Sequence, residues 1–175
     1  MHQLNIKAQY QKAINKSAPA FSAFPWQNRE SYAAWLAQSY FFVKHSTRLL
    51  AFAAAKCSFE KNKTHKRMAR HIFEEIGHEI LAANDLCYLG VKINEIKELP
   101  LTKAFYRLQY FGIDRLGPSY LMGYILFLEG IASVLGPKIL SPVTNAHGEK
   151  AATFLKLHVE EDVGHVEVAF ENLEI

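Results

Sequence analysis

The chain has little sulfur to crosslink. It carries two cysteines, Cys57 and Cys87, with no CxxC spacing. That excludes a disulfide scaffold and a cysteine-rich zinc module. Both cysteines fall in apolar helical patterns, so buried free thiols and a reducing, cytoplasmic setting are expected. There is no glycine-rich phosphate loop, no alternation of apolar and polar residues over strand lengths, and no repeat at a fixed period. These absences exclude P-loop and dinucleotide-binding folds and repeat architectures. Charge of one sign is also scarce: 20 Lys and Arg stand against 17 Asp and Glu, a formal net charge of +3. This balance is mildly basic and is no nucleic-acid signature. The run Lys61-Asn62-Lys63-Thr64-His65-Lys66-Arg67 reads as a solvated helix start or loop. The N-terminal MHQLNIKAQYQKAINKS has no apolar core segment, so no signal peptide is expected. The most membrane-like stretch, Tyr120–Leu135, is shorter than a spanning helix and carries Glu129 near its middle. It reads as a buried helix, and no membrane contact is expected.

What is present is a core. Half of the 175 residues are hydrophobic and 13% are aromatic. That is enough to bury the interior of one domain, residues 1–175. The patterning is helical throughout and predicts an all-α bundle of about six or seven helices. Residues 1–17 read as a short helix. The two prolines of 18–26 read as a connector. Asn28 is placed to cap a long helix over about 29–57. Lys61–Lys63 mark a break, and a third helix runs from about Thr64 to Leu89 with Gly90 just past its end. Ile93–Pro100 form a connector before a fourth helix, Thr102–Phe111. A fifth, about 118–135, stops at Gly136-Pro137. Residues 138–147 hold a turn or short helix, and the last helix spans about 148–172.

The chemistry is concentrated on three of these helices. On the last, His158, Asp162 and His165 are spaced i, i+4, i+7, so their side chains leave one face. Two imidazoles and a carboxylate there make a metal-binding edge. On the third, at roughly 100° per residue, His71, Glu75 and His78 share a sector about 60° wide. Glu74 sits at its border, and Phe73, Ile76 and Ile80 lie opposite. An ordinary surface helix would show the same split. On the fifth, Glu129 is surrounded by apolar residues on every side, so its carboxylate is expected to be buried. A buried carboxylate needs a partner or it becomes neutral. Glu75, His78, Glu129, His158, Asp162 and His165 are the candidate ligands, with His71 and Glu74 as substitutes on the third helix. Three imidazoles and three carboxylates suit Fe, Mn or Zn rather than Ca or Mg. Glu129 and Asp162 are also the candidates for a catalytic role, as carboxylates that shift between bridging and terminal binding. Tyr124 lies five residues before Glu129 and reads as a packing residue that could line the pocket.

The motifs Glu-Glu-Ile-Gly-His-Glu-Ile (74–80) with Asp85-Leu86 and Leu89-Gly90, Phe-Leu-Glu-Gly-Ile-Ala (127–132) with Gly136-Pro137, and Phe154-Leu155…His158…Asp162-x-Gly164-His165-x-Glu167 occur in that order. Together they resemble the haem-oxygenase-like di-iron oxidases, iron-containing redox enzymes that include a fatty-acid decarboxylase forming 1-alkenes and the chlamydial protein associated with death domains. The resemblance covers about residues 65–170. It implies a haem-oxygenase-like bundle of seven helices and two iron ions (Fe2+/Fe3+) that assemble on the reduced protein and react with O2. It also implies a small amino-acid- or fatty-acid-like substrate, with an external electron donor as a further partner. Carried over by position, Glu75, His78 and His158 would hold one iron. Asp162 and His165 would hold the other, with Glu129 binding or bridging it. The first-helix carboxylate varies in this group. Some members place it seven residues before the histidine, where this chain has His71.

Other readings stay open at this level. The same superfamily hosts TenA-like, thiaminase-type hydrolases with a cysteine nucleophile, for which Cys57 and Cys87 are the candidates. It also hosts PqqC-like oxidases that need no cofactor, and haem oxygenases, for which His45 would be the axial ligand. From a different class, the chain could be a non-catalytic helical protein that binds metal or a partner. A homodimer is a fair expectation for such a bundle.

Overall fold

Asn5 and Asn28 each start a helix by the same device. The Asn5 side chain accepts from Ala8 N at 3.0 Å and that of Asn28 from Ser31 N at 2.9 Å, satisfying N–H groups that the first helical turn leaves without partners. The structure is a computed structural model and describes residues 5–160, 166 and 170. Its helices are α1 (Ile6–Ala23), α2 (Arg29–Val43), α3 (Ser46–Ala55), α4 (Asn62–Glu75), α5 (His78–Tyr88), α6 (Pro100–Leu116) and α7 (Tyr120–His147). A further helical run, α8, covers 153–160. Single 3-10 turns at Phe59–Lys61, Ile93–Glu95 and Glu149–Ala151 complete the list, and no strand occurs among the described residues. The all-α expectation holds.

Several boundaries differ from the sequence reading, each for a physical reason. α1 runs on through Pro19 to Ala23, so 18–26 is not a connector. α7 likewise continues through Gly136-Pro137 and Pro142 instead of stopping at residue 135. An interior proline costs a helix about 3 kcal/mol. On α7 that is offset by burial of Leu135, Ile139 and Val143 around the two prolines. The helix expected over 29–57 is two helices. Lys44 and His45 form a turn with no proline or glycine to announce it, and the His45 ring stacks on Tyr106 at 3.8 Å. The helix expected over 64–89 is also two. Gly77, at φ +93°, breaks it directly after Glu75-Ile76. α6 begins at Pro100, the first helical position, where the missing N–H is no loss.

The core has two parts. One gathers Tyr32, Leu36, Leu86, Ile139, Val143, Phe154 and Leu155 from α2, α5, the end of α7 and α8. The other gathers Leu49, Leu50, Met68, Ile113, Leu121 and Ile125 from α3, α4, α6 and the start of α7. α2 packs on α5, α3 on α4, and α7 on both α1 and α6. α7 is the one helix among the described residues long and apolar enough to cross a membrane. Half of its apolar window is buried by these neighbours. Cys57 is half-buried and Cys87 exposed, which corrects the expectation of two buried thiols. Cys87 lies on the outer side of α5, whose inner side is filled by Ala82, Asp85 and Leu86.

Candidate metal centre

Over residues 71–80, the end of α4 and the start of α5 turn polar side chains inward and large apolar ones outward. His71 and His78 are 4% and 9% exposed, whereas Phe73, Ile76 and Ile80 are 81%, 66% and 56% exposed. A surface helix in water turns its apolar stripe to the core, and this pair does the opposite. Across from it, Glu129 of α7 is 6% exposed. Desolvation disfavours such an arrangement unless the polar groups satisfy one another or a ligand.

They do converge. His71 Nε2 stands 3.4 Å from Glu75 Oε1 and 3.4 Å from Glu129 Oε1, linking α4 to α7. His78 Nδ1 lies 3.7 Å from Glu75 Oε2. The His78 ring meets that of His158 edge-on, 4.9 Å between centroids. His71 and Glu75 share a face as an i, i+4 pair within α4. His78 joins them from the first position of α5 because the Gly77 turn sits between. Burial works against the charge of Glu75, but the hydrogen bond and charge of His71, followed by His78 and His158, outweigh it. They hold the carboxyl down at about 2. Glu75 is therefore a carboxylate at neutral pH.

His158 is fixed from behind. Its Nδ1 is 2.8 Å from the carbonyl oxygen of Phe154, an acceptor, so Nδ1 carries the proton and Nε2 keeps a lone pair. α8 is in turn anchored by Asp85, buried on α5, which accepts from Thr153 Oγ1 at 2.5 Å and from Phe154 N at 2.8 Å. Its carboxyl is raised by burial, against the pull of these hydrogen bonds. Sequence reasoning saw Asp85 only as part of a motif. The signal for its role was the residue before α8, Ala152, which has no side-chain oxygen to cap a helix.

The site opens into a cavity of about 250 Å3 between the two parts of the core. His71, Glu75, Glu129 and His158 form its polar end. Trp35, Phe42, Leu49, Leu50, Ile125, Leu128, Phe154 and Leu155 supply apolar wall. Tyr124 also lines it. Its hydroxyl is buried without a hydrogen-bond partner among the described residues, and burial, with Glu75 adding, raises its pKa.

Of the substitutes considered on the third helix, His71 is brought into the cluster. Glu74 is held by Arg67 at 2.9 Å and does not line the cavity. Asp162 and His165 lie outside the described residues. Neither Cys57, Cys87 nor His45 lines the cavity.

A family model described as "iron-containing redox enzyme" matches residues 33–174. The chain belongs to this family. The match takes in all the site residues from His71 to His158. The fold agrees with two solved structures. A domain of unknown function with a haem oxygenase-like fold from Shewanella denitrificans OS217 superposes with a TM-score of 0.84 at 20% identity, over 98% of this chain and 79% of that one. A TenA homologue from Pseudomonas syringae pv. tomato DC3000 gives 0.74 at 16% identity, over 93% and 76%. Among curated proteins none matches. The bundle is thus haem-oxygenase-like, as expected.

The donors fit iron in kind. The described cluster contributes three imidazoles and two carboxylates, one carboxylate held ionised, and His158 has its Nε2 lone pair available. Among the described residues no three such side chains already form a finished ligand group.

Proposed function

We propose that this chain is an O2-dependent, non-haem di-iron oxidase acting on a small organic molecule. The observation that carries the reading is the inverted polarity where α4 meets α5, over residues 71–80: His71, Glu75 and His78 turned in toward Glu129 and His158 while Phe73, Ile76 and Ile80 face solvent. A fold that buries acids and imidazoles and exposes large apolar groups on the same helices is giving up hydrophobic stabilisation for a ligand set. In this reading Glu75, His78 and His158 hold one iron, with Asp162, His165 and Glu129 for the second. When bound, the irons supply the electrons that activate O2. The chain's own residues do the rest. The Phe154 carbonyl orients His158, Asp85 holds the helix that carries it, and the apolar wall excludes water from the reacting end.

A hydrolase reading in the manner of TenA proteins would need a thiol or comparable nucleophile at the cavity. The position of both cysteines away from it favours the oxidase. The test is anaerobic titration of the metal-free protein with Fe(II), followed by O2. About two irons per chain and an optical change on oxygenation are expected, with uptake lost in His158→Ala and Glu129→Ala. Iron binding that is absent, or unchanged in both variants, removes the proposal. Iron bound with no O2 consumed would mark a metal-binding protein instead.

A further inference from the structure

The cavity beside the site has a chemical character of its own: outside the candidate ligands its polar lining among the described residues is three hydroxyls, those of Ser39, Ser46 and Tyr124. The walls are aliphatic and aromatic: Trp35, Phe42, Leu50, Ile125, Leu128 and Phe154 among them. No lysine or arginine lines it among the described residues. Glu75, held ionised, already places negative charge at its inner end. In the metal-free protein, a carboxylate or zwitterion brought into the body of this cavity would lose its hydration and find no counter-charge on the described lining.

Of these three hydroxyls, that of Tyr124 stands out. It is buried and has no hydrogen-bond partner among the described residues. A buried O–H left without an acceptor costs about 1–3 kcal/mol. Tyr124 does not escape that cost by ionising, since burial and the neighbouring Glu75 both raise its pKa. It remains a donor without an acceptor among the described residues. Its ring packs on that of Phe105, 4.9 Å away between centroids.

We infer that the cavity takes an uncharged molecule with an apolar body and a hydrogen-bond-accepting oxygen, and that Tyr124 donates to that oxygen and so sets which end of the substrate faces the metal ligands. This rests on the oxidase reading for the identity of the site, but the binding itself is a property of the cavity. It makes Tyr124 a specificity determinant, because an analogue lacking the oxygen leaves the hydroxyl without a partner.

The test uses the metal-free full chain and three probes of similar size: 2-heptanone, toluene and L-norleucine, with binding followed by saturation-transfer NMR and calorimetry. 2-Heptanone and toluene should bind and L-norleucine should not. In Tyr124→Phe the affinity for 2-heptanone should fall about fivefold to tenfold, the size of one hydrogen bond, while toluene binding is unchanged. Leu128→Trp and, separately, Ala132→Leu should weaken both ligands by filling the cavity, with circular dichroism melts showing that the variants fold. The inference is overturned if L-norleucine binds as tightly as the ketone, if neither ketone nor toluene binds, or if Tyr124→Phe leaves ketone affinity intact. Fe(II) uptake measured in parallel separates the two claims. Ketone binding lost in Tyr124→Phe in a protein that takes no iron would sink the oxidase but keep the substrate class. Iron uptake lost in Tyr124→Phe would make Tyr124 part of the ligand set and overturn its assigned role.

Discussion

His71 on α4 and Glu129 on α7 approach to 3.4 Å at the polar end of the cavity, a contact that ties the broken α4–α5 segment to the long central helix. The same His71 nitrogen stands 3.4 Å from Glu75. One imidazole thus serves two carboxylates, and the negative charge of Glu75 is sustained by a ring that a metal could displace. In the metal-free protein this cluster is held by its own electrostatics. In the loaded protein the ions would take over that role.

The first expectation follows from Glu75. Its folded-state pKa of about 2 lies below the ordinary 4.5. A depressed carboxyl adds stability that is fully present above the unfolded value and is lost as pH falls through the folded one. Metal-free protein should therefore lose stability between about pH 5 and pH 2. Glu75→Gln should flatten that part of the profile in denaturant melts taken at a series of pH values. An unchanged acid limb would mean that Glu75 is not the group held ionised by His71.

How much of this was legible in the sequence depends on whether the cause was local. Asn28 as a cap was readable because its oxygen acts three residues away. The burial of Glu129 was readable from its apolar flanks on one helix. The grouping of His71 and Glu75 followed from helical spacing, and the structure adds which way that face turns. What could not be read was tertiary. Nothing near Pro137 says that α7 will be packed by α1 and α6 and stay helical through two prolines. Nothing near Lys44-His45 announces a turn, because its partner is Tyr106 on another helix. Gly77 was visible, but a glycine inside a helical pattern is tolerated as often as it breaks one. Asp85 acts on a helix start 68 residues further along, beyond any local pattern.

Asp85 gives the second expectation. Asp85→Ala leaves Thr153 Oγ1 and Phe154 N buried without their acceptor, at a cost of about 2–3 kcal/mol. Urea denaturation should read that loss. Because Phe154 also supplies the carbonyl that orients His158, Fe(II) affinity should fall as well. Asp85→Asn keeps one acceptor oxygen and should recover part of both. A variant with full stability and full iron affinity would remove Asp85 from the support of the site.

Gly77 gives the third. Its φ of +93° is a left-handed conformation, and a Cβ there would meet nothing within 4 Å, so any cost of Gly77→Ala is backbone strain alone. About 1–2 kcal/mol is expected. For a domain of this size that is a fall in Tm of roughly 2–8 °C. Gly123 on α7 is the matched control. It is helical, with φ in the ordinary range and open space around it. Gly123→Ala should instead raise stability by about 0.5–1 kcal/mol. Thermal melts of the two variants should move in opposite directions. Equal shifts would show that the α4–α5 break does not need glycine.

Gly136 and Val159 give the last. A Cβ on Gly136 would stand 2.5 Å from Val159 Cγ2, so α8 crosses α7 at a point where no side chain fits. Val159 follows His158 directly, and a push on it moves the ligand. Gly136→Ala should therefore destabilise by about 1–3 kcal/mol through overpacking and weaken Fe(II) uptake in the same variant. Val159→Ala removes the clashing methyl groups. Combined with Gly136→Ala it should restore iron affinity to within about twofold of wild type, a coupling expected only of residues in contact. If the double variant is no better than Gly136→Ala alone, the close crossing of α7 and α8 is not what seats His158.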